Sequence, residues 1–242
     1  MGGLVAMHFL GTKGEAWTAR HVAGLATIST PYGGAPLAVK AAVSGENFGF
    51  PVDQDVFLGI QSNSPSGAWL FPAPALWPAN QPGQTSGPPF AVTTRQRNYT
   101  ASPSDYLDLL GDLGRTVLAT VYPFVRSLRT LGGWMSFDVA AGPTFPDINI
   151  PHHCFYGTGV ATPVGFHYDV DRFEPGTEPT QPDRVHYGNG DGVVDVGSLE
   201  YCKDIGTNAR LMQPIAGGEH IKILSSKNLL DRLIEVLLGP KH

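Results

Sequence analysis

Residues 22–34 read VAGLATISTPYGG and indicate the class of fold. The apolar run at 22–29 predicts a buried strand, and the turn-forming residues 30–34 end it. Before it, residues 1–10 read MGGLVAMHFL and place apolar groups on more than one face, which predicts a buried helix that stops at residues 11–14. A buried helix followed by a buried strand favours an α/β sheet.

Further elements follow along the chain. Helices are predicted at 102–117, 121–135 and 225–238, of which the last carries leucine and isoleucine along one face. Strands are predicted at 148–156 and 209–215, the second weakened by Pro214, and a hairpin is predicted with arms 164–169 and 184–187.

Residues 45–92 are richer in proline and aromatic residues than the segments before them. The window 61–90 holds seven prolines and three glycines among several aromatic residues, a density that opposes regular ladders and helices. Such an excursion inside a compact domain is usually functional, so we expect a lid or acyl-binding loop. A well-packed irregular surface layer is the alternative.

Composition narrows the class of protein. A length of 242 residues suffices for one large domain or two small ones, and the net charge of −5 comes without a basic stretch, which argues against nucleic acid as a partner. There is no run of about 18 apolar residues and no basic segment after Met1 of the kind that opens a signal peptide. The latter is informative only if Met1 is the true start.

Two cysteines and one sequon bear on the compartment. Cys154 and Cys202 fit either one disulfide or two unrelated buried thiols. Asn98-Tyr99-Thr100 is an acceptor pattern for N-glycosylation, and its polar neighbours at 94–97 suggest an exposed loop. Together these features favour a secretory or luminal glycoprotein.

The segment GNGDGVV at 188–194 holds an aspartate between glycines, so Asp191 has a backbone free to turn and a carboxylate free to enter a cleft. An ordinary turn is one alternative. A calcium loop over 187–198 is another, but its first and twelfth positions would be Tyr187 and Ser198, which lack the required charge. We therefore expect a catalytic acid here.

Residues 217–220 read GGEH and lie between the predicted last strand and last helix. In α/β-hydrolases the catalytic histidine occupies that loop, and the triad follows the order serine, acid, histidine. Asp191 and His220 follow that order and are predicted to be the catalytic acid and base. The alternative for His220 is an ordinary surface histidine.

A triad also needs a serine on a G-x-S-x-G elbow, and the 242 residues contain none. The opening Met1-Gly2-Gly3 reads as the second half of such an elbow, which would place the serine one residue before Met1. We therefore expect a partial gene product, truncated just after its nucleophile. The alternative is a plain N-terminus with two flexible glycines.

A run of potential metal ligands, His152-His153-Cys154, has Cys202 or His186 as candidates to complete a zinc site. The spacing matches no standard zinc pattern, and a Cys154–Cys202 pairing is simpler. The prediction is that the chain holds no metal.

An ordered set of short motifs resembles the family of lecithin–cholesterol acyltransferase and lysosomal phospholipase A2 over nearly the whole chain. Each motif is weak alone, and their order makes the resemblance specific. The motifs are STPYGG at 29–34, AVSGEN at 42–47, the stretch from Ser64-Pro65 to Trp77-Pro78, NYT at 98–100 with Asp105-Tyr106, CFYGTG at 154–159 with Thr162-Pro163, GDGVV at 190–194 followed by Cys202, and EHI at 219–221.

The resemblance implies an α/β-hydrolase fold that is incomplete here, with Asp191 and His220 in the triad and a Cys154–Cys202 disulfide. It implies that Met1 donates a backbone N–H to the oxyanion hole and that residues 47–66 form a flap over the site. The implied domains are a core segment 1–46, a lid or cap insertion 47–147 and a C-terminal core 148–242. Val193 departs from the family's threonine, which would weaken a local hydrogen bond.

The resemblance also implies the activity, an O-acyltransferase or phospholipase that forms an acyl-enzyme and needs no cofactor. Phospholipid or another acyl lipid would be the donor, a sterol or other alcohol a possible acceptor, and contact would be made at a membrane or lipid surface. The chain alone would be inactive without its serine. Two alternatives stay open: a catalytically inactive lipid-binding protein of the same fold, and a calcium-dependent module built on 187–198.

Overall fold

The computed structural model describes residues 1–73, 91–100, 102–128, 137–138, 142–143, 148–177, 179, 181–204 and 210–238. The helices are α1 Gly2–Lys13, α2 Glu15–His21, α3 Pro36–Ser44, α4 Gln54–Gln61, α5 Pro65–Trp69, α6 Pro103–Asp112, α7 Thr116–Leu128, α8 Val196–Glu200 and α9 Lys227–Leu238, with short 3-10 helices at Tyr201–Asp204 and Lys222–Ser225. The strands are β1 Leu25–Ile28, β2 Ala91–Thr93, β3 Asn98–Thr100, β4 Phe137–Asp138, β5 Gly142–Pro143, β6 His152–Thr158, β7 Val160–His167, β8 Arg184–Gly190 and β9 Arg210–Ala216.

The centre of the protein is a parallel sheet in the order β1-β6-β9. Successive residues of β6 face opposite sides, so Cys154 joins a core with Leu4 and Met7 of α1, while Phe155 joins a core with Ile223 and Leu229 beside α9. A parallel sheet covered on both faces is the arrangement expected of an α/β protein. The sequence prediction of a mixed α/β fold is confirmed.

A second sheet, in the order β3-β2-β7-β8, adjoins the first because β7 begins two residues after β6 ends. Gly159 makes the connection with a φ of 80°, a value that favours glycine. Strands β7 and β8 form the predicted hairpin, whose ladder runs from His167↔Arg184 to Val160↔Gly190. Residues 137–138 and 142–143 form a separate two-stranded ladder.

Residues between β1 and β8 in the chain, from Leu37 to Phe173, pack a third core of their own. Its largest members are aromatic, and the rings of Phe71, Tyr106 and Tyr122 lie 5.1–5.8 Å apart. Helices α3, α6 and α7 contribute buried leucine and valine side chains to it, and β7 contributes Phe166. This core attaches the middle of the chain to the second sheet.

The segment that leads into α4 is closed at its base by polar side chains. Lys40 Nζ, which is buried, lies 2.7 Å from Glu46 Oε2 and donates to Gly45 O. Gln61 donates to Glu46 O and accepts from Glu46 N, so residues 46 and 61 are joined by two hydrogen bonds. The backbone therefore leaves the core and returns to it at nearly one point.

Two sequence predictions about helices need correction. The single helix expected at 102–117 is two helices, because α6 ends at Asp112 and Gly114 adopts a φ of 66° before α7 begins. The proline-rich window was expected to lack helices, yet α5 lies inside it. Pro65 opens that helix, where the missing N–H costs nothing.

Other predicted elements are present with shifted ends. The strand expected at 22–29 forms only at Leu25–Ile28, and α2 was not predicted. Pro214 is accommodated in β9 because β9 lies at the edge of its three-stranded sheet. The predicted helix at 121–135 corresponds to part of α7, and its residues beyond 128, like Trp77 and Phe90 of the aromatic excursion, lie outside the described residues.

Among the described residues, no helix has both the length and the apolar character that crossing a bilayer requires.

Candidate active site

Asp191 directly follows β8 and lies in a tight turn. Its Oδ1 accepts hydrogen bonds from the backbone N–H groups of Val193, at 3.0 Å, and Val194, at 2.8 Å. Its side chain has no solvent exposure. The turn thus holds the carboxylate in one orientation and satisfies one oxygen from the backbone alone, in part through the N–H of Val193.

His220 lies on the loop between β9 and the 3-10 helix Lys222–Ser225, near the carboxyl edge of the parallel sheet. Its Nδ1 lies 2.7 Å from Asp191 Oδ2, and its backbone N–H donates to Asp191 O at 2.8 Å. The loop is anchored where it leaves the strand, since Gly217 N donates to Thr158 O at 2.7 Å. The structure therefore brings together the two residues that the sequence predicted as acid and base.

The pair has the chemistry of a general base held by an acid. A carboxylate only accepts hydrogen bonds, so the imidazole proton is on Nδ1, and Nε2 of the neutral ring is an acceptor. The His220 side chain is 29% exposed while the Asp191 side chain is covered, so the histidine can contact a substrate and the aspartate cannot. Such a pair can take a proton from a hydroxyl group while the carboxylate stabilises the resulting imidazolium.

Thr162 supports the acid from β7 and was not singled out from the sequence. Its buried hydroxyl accepts from Gly192 N at 2.9 Å and donates to Val160 O at 2.9 Å. It therefore links the turn that carries Asp191 to the neighbouring strand. The sequence shows Thr162 only as part of a family motif, because its role depends on a contact 30 residues away along the chain.

Gly157 and Gly218 pack back to back beneath the pair. A Cβ on Gly157 would collide with the carbonyl of Gly218 and come within 2.9 Å of Asp191 Cβ. The loop that carries His220 thus needs a glycine on β6 in order to approach the acid.

Gly157→Ala should therefore lower the free energy of unfolding by about 1–3 kcal/mol, because the atoms in the way are mainly backbone and cannot move aside cheaply. Urea unfolding measures this. Gly59→Ala is the matched control, since that glycine lies in α4 and a Cβ there meets open space. A Gly157→Ala protein as stable as the Gly59→Ala protein would contradict the close packing described.

The start of α1 lies at the same edge of the sheet. Gly3 packs so closely on Thr30, which follows β1, that a Cβ on Gly3 would collide with the threonine side chain. Met1 caps α1 through its carbonyl, which accepts from Leu4 N and Val5 N, and burial lowers the pKa of its amino group. The predicted role of Met1 in an oxyanion hole stays a prediction.

Cys154 and Cys202 are joined by a disulfide, which links β6 to the 3-10 helix after α8. His152 lies beside it, with donor atoms of the three residues within 4.8 Å of one another. The imidazole Nε2 is 3.0 Å from Tyr32 Oη and 3.1 Å from Thr27 Oγ1. In this state neither sulfur is a thiolate, the form that binds zinc.

The remaining sequence candidates lie apart from the pair. Ser198, the twelfth position of the alternative calcium loop, is buried and bonded to Gly33 N and Gly34 O, while Tyr187 at its first position is exposed. Asn98 is exposed at the start of β3. His186 is on β8 and is not in the cluster of His152 with the cysteines.

A parallel sheet covered on both faces, with an acid and a histidine on loops at its carboxyl edge, is consistent with the class of α/β-hydrolase-like proteins. Comparisons with known proteins support this class. The family described as lecithin:cholesterol acyltransferase matches residues 1–108. The chain is similar to this family over those residues, and its similarity to individual relatives extends over nearly the whole chain.

These relatives cover 99% of this chain. The lysosomal phospholipase A and acyltransferase of Bos taurus is 28% identical over 247 residues, which are 53% of its length, and the Homo sapiens protein of the same name is 28% identical over 52% of its length. The phosphatidylcholine-sterol acyltransferase of Homo sapiens is 27% identical over 250 residues, 49% of its length. The chain therefore spans about half the length of the curated relatives it matches.

Proposed function

We propose that this chain carries the acid and base of a Ser-His-Asp enzyme that cleaves acyl esters of lipids and passes the acyl group to water or to an alcohol. The contact of His220 Nδ1 with Asp191 Oδ2 at 2.7 Å carries the proposal. The names of the relatives, phospholipase and acyltransferase, support the reaction class.

In the proposed mechanism, His220 Nε2 takes the proton of a serine hydroxyl as its oxygen attacks the acyl carbonyl. Asp191 holds the ring orientation and stabilises the imidazolium. The imidazolium then returns the proton to the departing lysolipid alcohol, which leaves an acyl-enzyme. Water or a lipid alcohol, deprotonated by the same histidine, releases the acyl group as a fatty acid or a new ester.

The nucleophile is proposed to be a serine immediately before Met1. The packing of Gly3 on Thr30 supports this, because it holds the start of α1 at the carboxyl edge of β1, two strands from β9 in the sheet. Neighbouring strands lie about 4.8 Å apart, so β1 and β9 are about 10 Å apart, a gap that a serine and a histidine side chain directed towards each other can bridge. If a serine precedes Met1, a peptide bond joins the two residues, and the nitrogen of Met1 is an amide N–H. An oxyanion hole requires such an amide N–H as a donor. On this proposal the 242 residues alone are inactive.

The residues between 47 and 147 are proposed to form the lid or cap, between a core segment 1–46 and a C-terminal core 148–242. The proposed flap 47–66 carries a set of large apolar side chains that are about half exposed, namely Phe48, Phe50, Val52, Val56 and Ile60. Exposed apolar groups in this number are typical of surfaces that meet lipid or protein. They support contact with a phospholipid or sterol-containing surface.

A location in the secretory pathway, whether extracellular, vacuolar or lysosomal, is proposed as well. The Cys154–Cys202 disulfide favours an oxidising compartment, and the exposed Asn98 offers a glycosylation site. The word lysosomal in the names of several relatives is consistent with this location.

A serine-reactive fluorophosphonate tests the proposal on the native protein. We expect one labelled serine, mapped by peptide mass spectrometry to the position before Met1, and a loss of label after heat denaturation. Labelling should require the histidine, so a His220→Gln protein should remain largely unlabelled, whereas His186→Gln should label normally. His186 is an exposed residue of β8 and serves as the matched control.

Two outcomes would contradict the proposal: no label on a folded protein, or a label that persists in the His220→Gln protein. A protein that binds phospholipid vesicles but takes no label would instead be the catalytically inactive lipid-binding protein, the alternative that the exposed apolar flap favours.

A further inference from the structure

The turn that carries Asp191 ends at Asp195, the residue that begins α8. Asp195 Oδ1 accepts a hydrogen bond from Gly197 N at 2.8 Å, which satisfies one of the N–H groups left unpaired at the start of a helix. The backbone of Asp195 also bridges to Gly190, and Asp191 N donates to Val194 O at 3.2 Å. Asp195 therefore closes the turn on one side and starts the helix on the other.

The glycines of the segment allow this closure. A Cβ on Gly190 would collide with Val194 O and approach Asp195 Cα to 3.1 Å, and a Cβ on Gly188 would lie 3.5 Å from Asp195 Oδ2. The end of β8 thus lies directly against Asp195, with no side chain between them. Gly190, which drew attention in the sequence, leaves the space that Asp195 occupies, whereas a Cβ on Gly188 would make only ordinary contact with Asp195.

The helix that Asp195 caps is itself fixed to the loop after β1. Ser198 Oγ, fully buried, accepts from Gly33 N at 2.9 Å and donates to Gly34 O at 2.7 Å. Helix α8 thus connects the Asp191 turn to the carboxyl edge of β1, near which the proposed serine would lie. Asp195 is the point at which the turn and the helix join.

We propose that Asp195 is a positioning residue, which keeps Asp191 in contact with His220 by capping α8 and closing the turn. The inference rests on the proposed function only for its catalytic consequence. The effect of Asp195 on the Asp191–His220 contact can be tested without measuring activity.

The surroundings of the carboxyl group fit this role. Burial raises the pKa of Asp195 to about 6, and the hydrogen bonds from the backbone of Gly197 and Ser198 act against that rise, while the charge of Glu200 adds to it. The helix start thus directs its N–H groups at a carboxyl group that its neighbours enclose. A cap in this position restrains the turn more than an exposed one would.

The test compares Asp195→Ala with Asp195→Asn and Asp53→Ala in the native protein. Asp53 is the matched control, because it caps α4 in the same way, accepting from Asp55 N, but is exposed and belongs to another segment. The readout is the rate at which the His220 Nδ1 proton exchanges with solvent, measured by NMR.

We expect Asp195→Ala to speed this exchange at least tenfold. Asp195→Asn should stay within about twofold of wild type, because its amide oxygen accepts the same bond, and Asp53→Ala should also have no effect. In the active enzyme, Asp195→Ala should lower kcat about 10- to 100-fold with little change in KM, the cost of a misplaced catalytic group.

Wild-type exchange in Asp195→Ala would overturn the inference, and so would an equal acceleration in Asp53→Ala, which would indicate general loosening. If Asp195→Ala does not fold, Asp195→Ser, which keeps a weaker acceptor, must give intermediate exchange for the inference to stand. Absence of fluorophosphonate labelling would count against the proposed function alone, since the exchange rates decide on Asp195 independently.

Discussion

Replacing His220 by glutamine should lower the rate of phospholipid ester cleavage by about 10⁴–10⁶-fold in the protein that carries the proposed serine. Glutamine keeps a side chain of similar reach but cannot accept the serine proton at neutral pH. The buried Asp191 carboxylate would also lose the partner that it contacts at 2.7 Å. Release of fatty acid from phospholipid vesicles, followed at saturating substrate, measures the loss in kcat.

The controls separate chemistry from folding. Asp191→Asn should cost about 10⁴-fold by favouring the wrong imidazole tautomer, and the double variant should be no slower than the slower single variant, since the two residues act as one unit. His186→Gln should retain full activity. An active His220→Gln protein, or fully additive losses in the double variant, would contradict the assignment of the pair.

Loss of the Cys154–Cys202 disulfide should destabilise the protein by about 4 kcal/mol, the chain-entropy value for a bond that closes 48 residues. The bond ties β6 to the segment after α8, so without it the denatured chain gains freedom while the folded core keeps its packing. A Cys154→Ala/Cys202→Ala protein unfolded in urea measures the effect. The double replacement avoids leaving one buried thiol without its partner.

Dithiothreitol provides the matching control, because the chain has only these two cysteines. It should lower the urea midpoint of the wild-type protein to that of the double variant and leave the double variant unchanged. Equal midpoints for the reduced and oxidised wild type would show that the bond contributes nothing to stability.

The pairing of Asp191 with His220 was predictable from the sequence because each residue has a local signal. Asp191 lies between glycines that permit a tight turn, and His220 lies between a β-strand pattern and an amphipathic helix in the order that hydrolases use. The hairpin before Asp191 and the last helix were predictable for the same reason, since their periodicity is contained in a short window.

The supporting residues carried no such signal. Thr162 and Asp195 are ordinary polar residues in the sequence. The role of Thr162 depends on the contact of β7 with the turn that carries Asp191, and the role of Asp195 depends on the contact of that turn with α8. Proline density likewise misled the prediction near Pro65, because proline opposes a helix interior but suits its first turn. Local composition does not specify which of these positions a proline takes.

The two hydrogen bonds between Glu46 and Gln61 have a consequence for how the segment between them can differ in length among relatives. These bonds hold the two ends of the loop 47–60 together at residues 46 and 61. Residues added in the middle of the loop therefore leave the positions of Lys40 and the core unaltered. Doubling a loop of this kind costs only about 0.6 kcal/mol of closure entropy. Insertions and deletions between relatives should therefore accumulate between residues 47 and 53. The residues at positions 46 and 61, which are hydrogen-bonded to each other here, should change together.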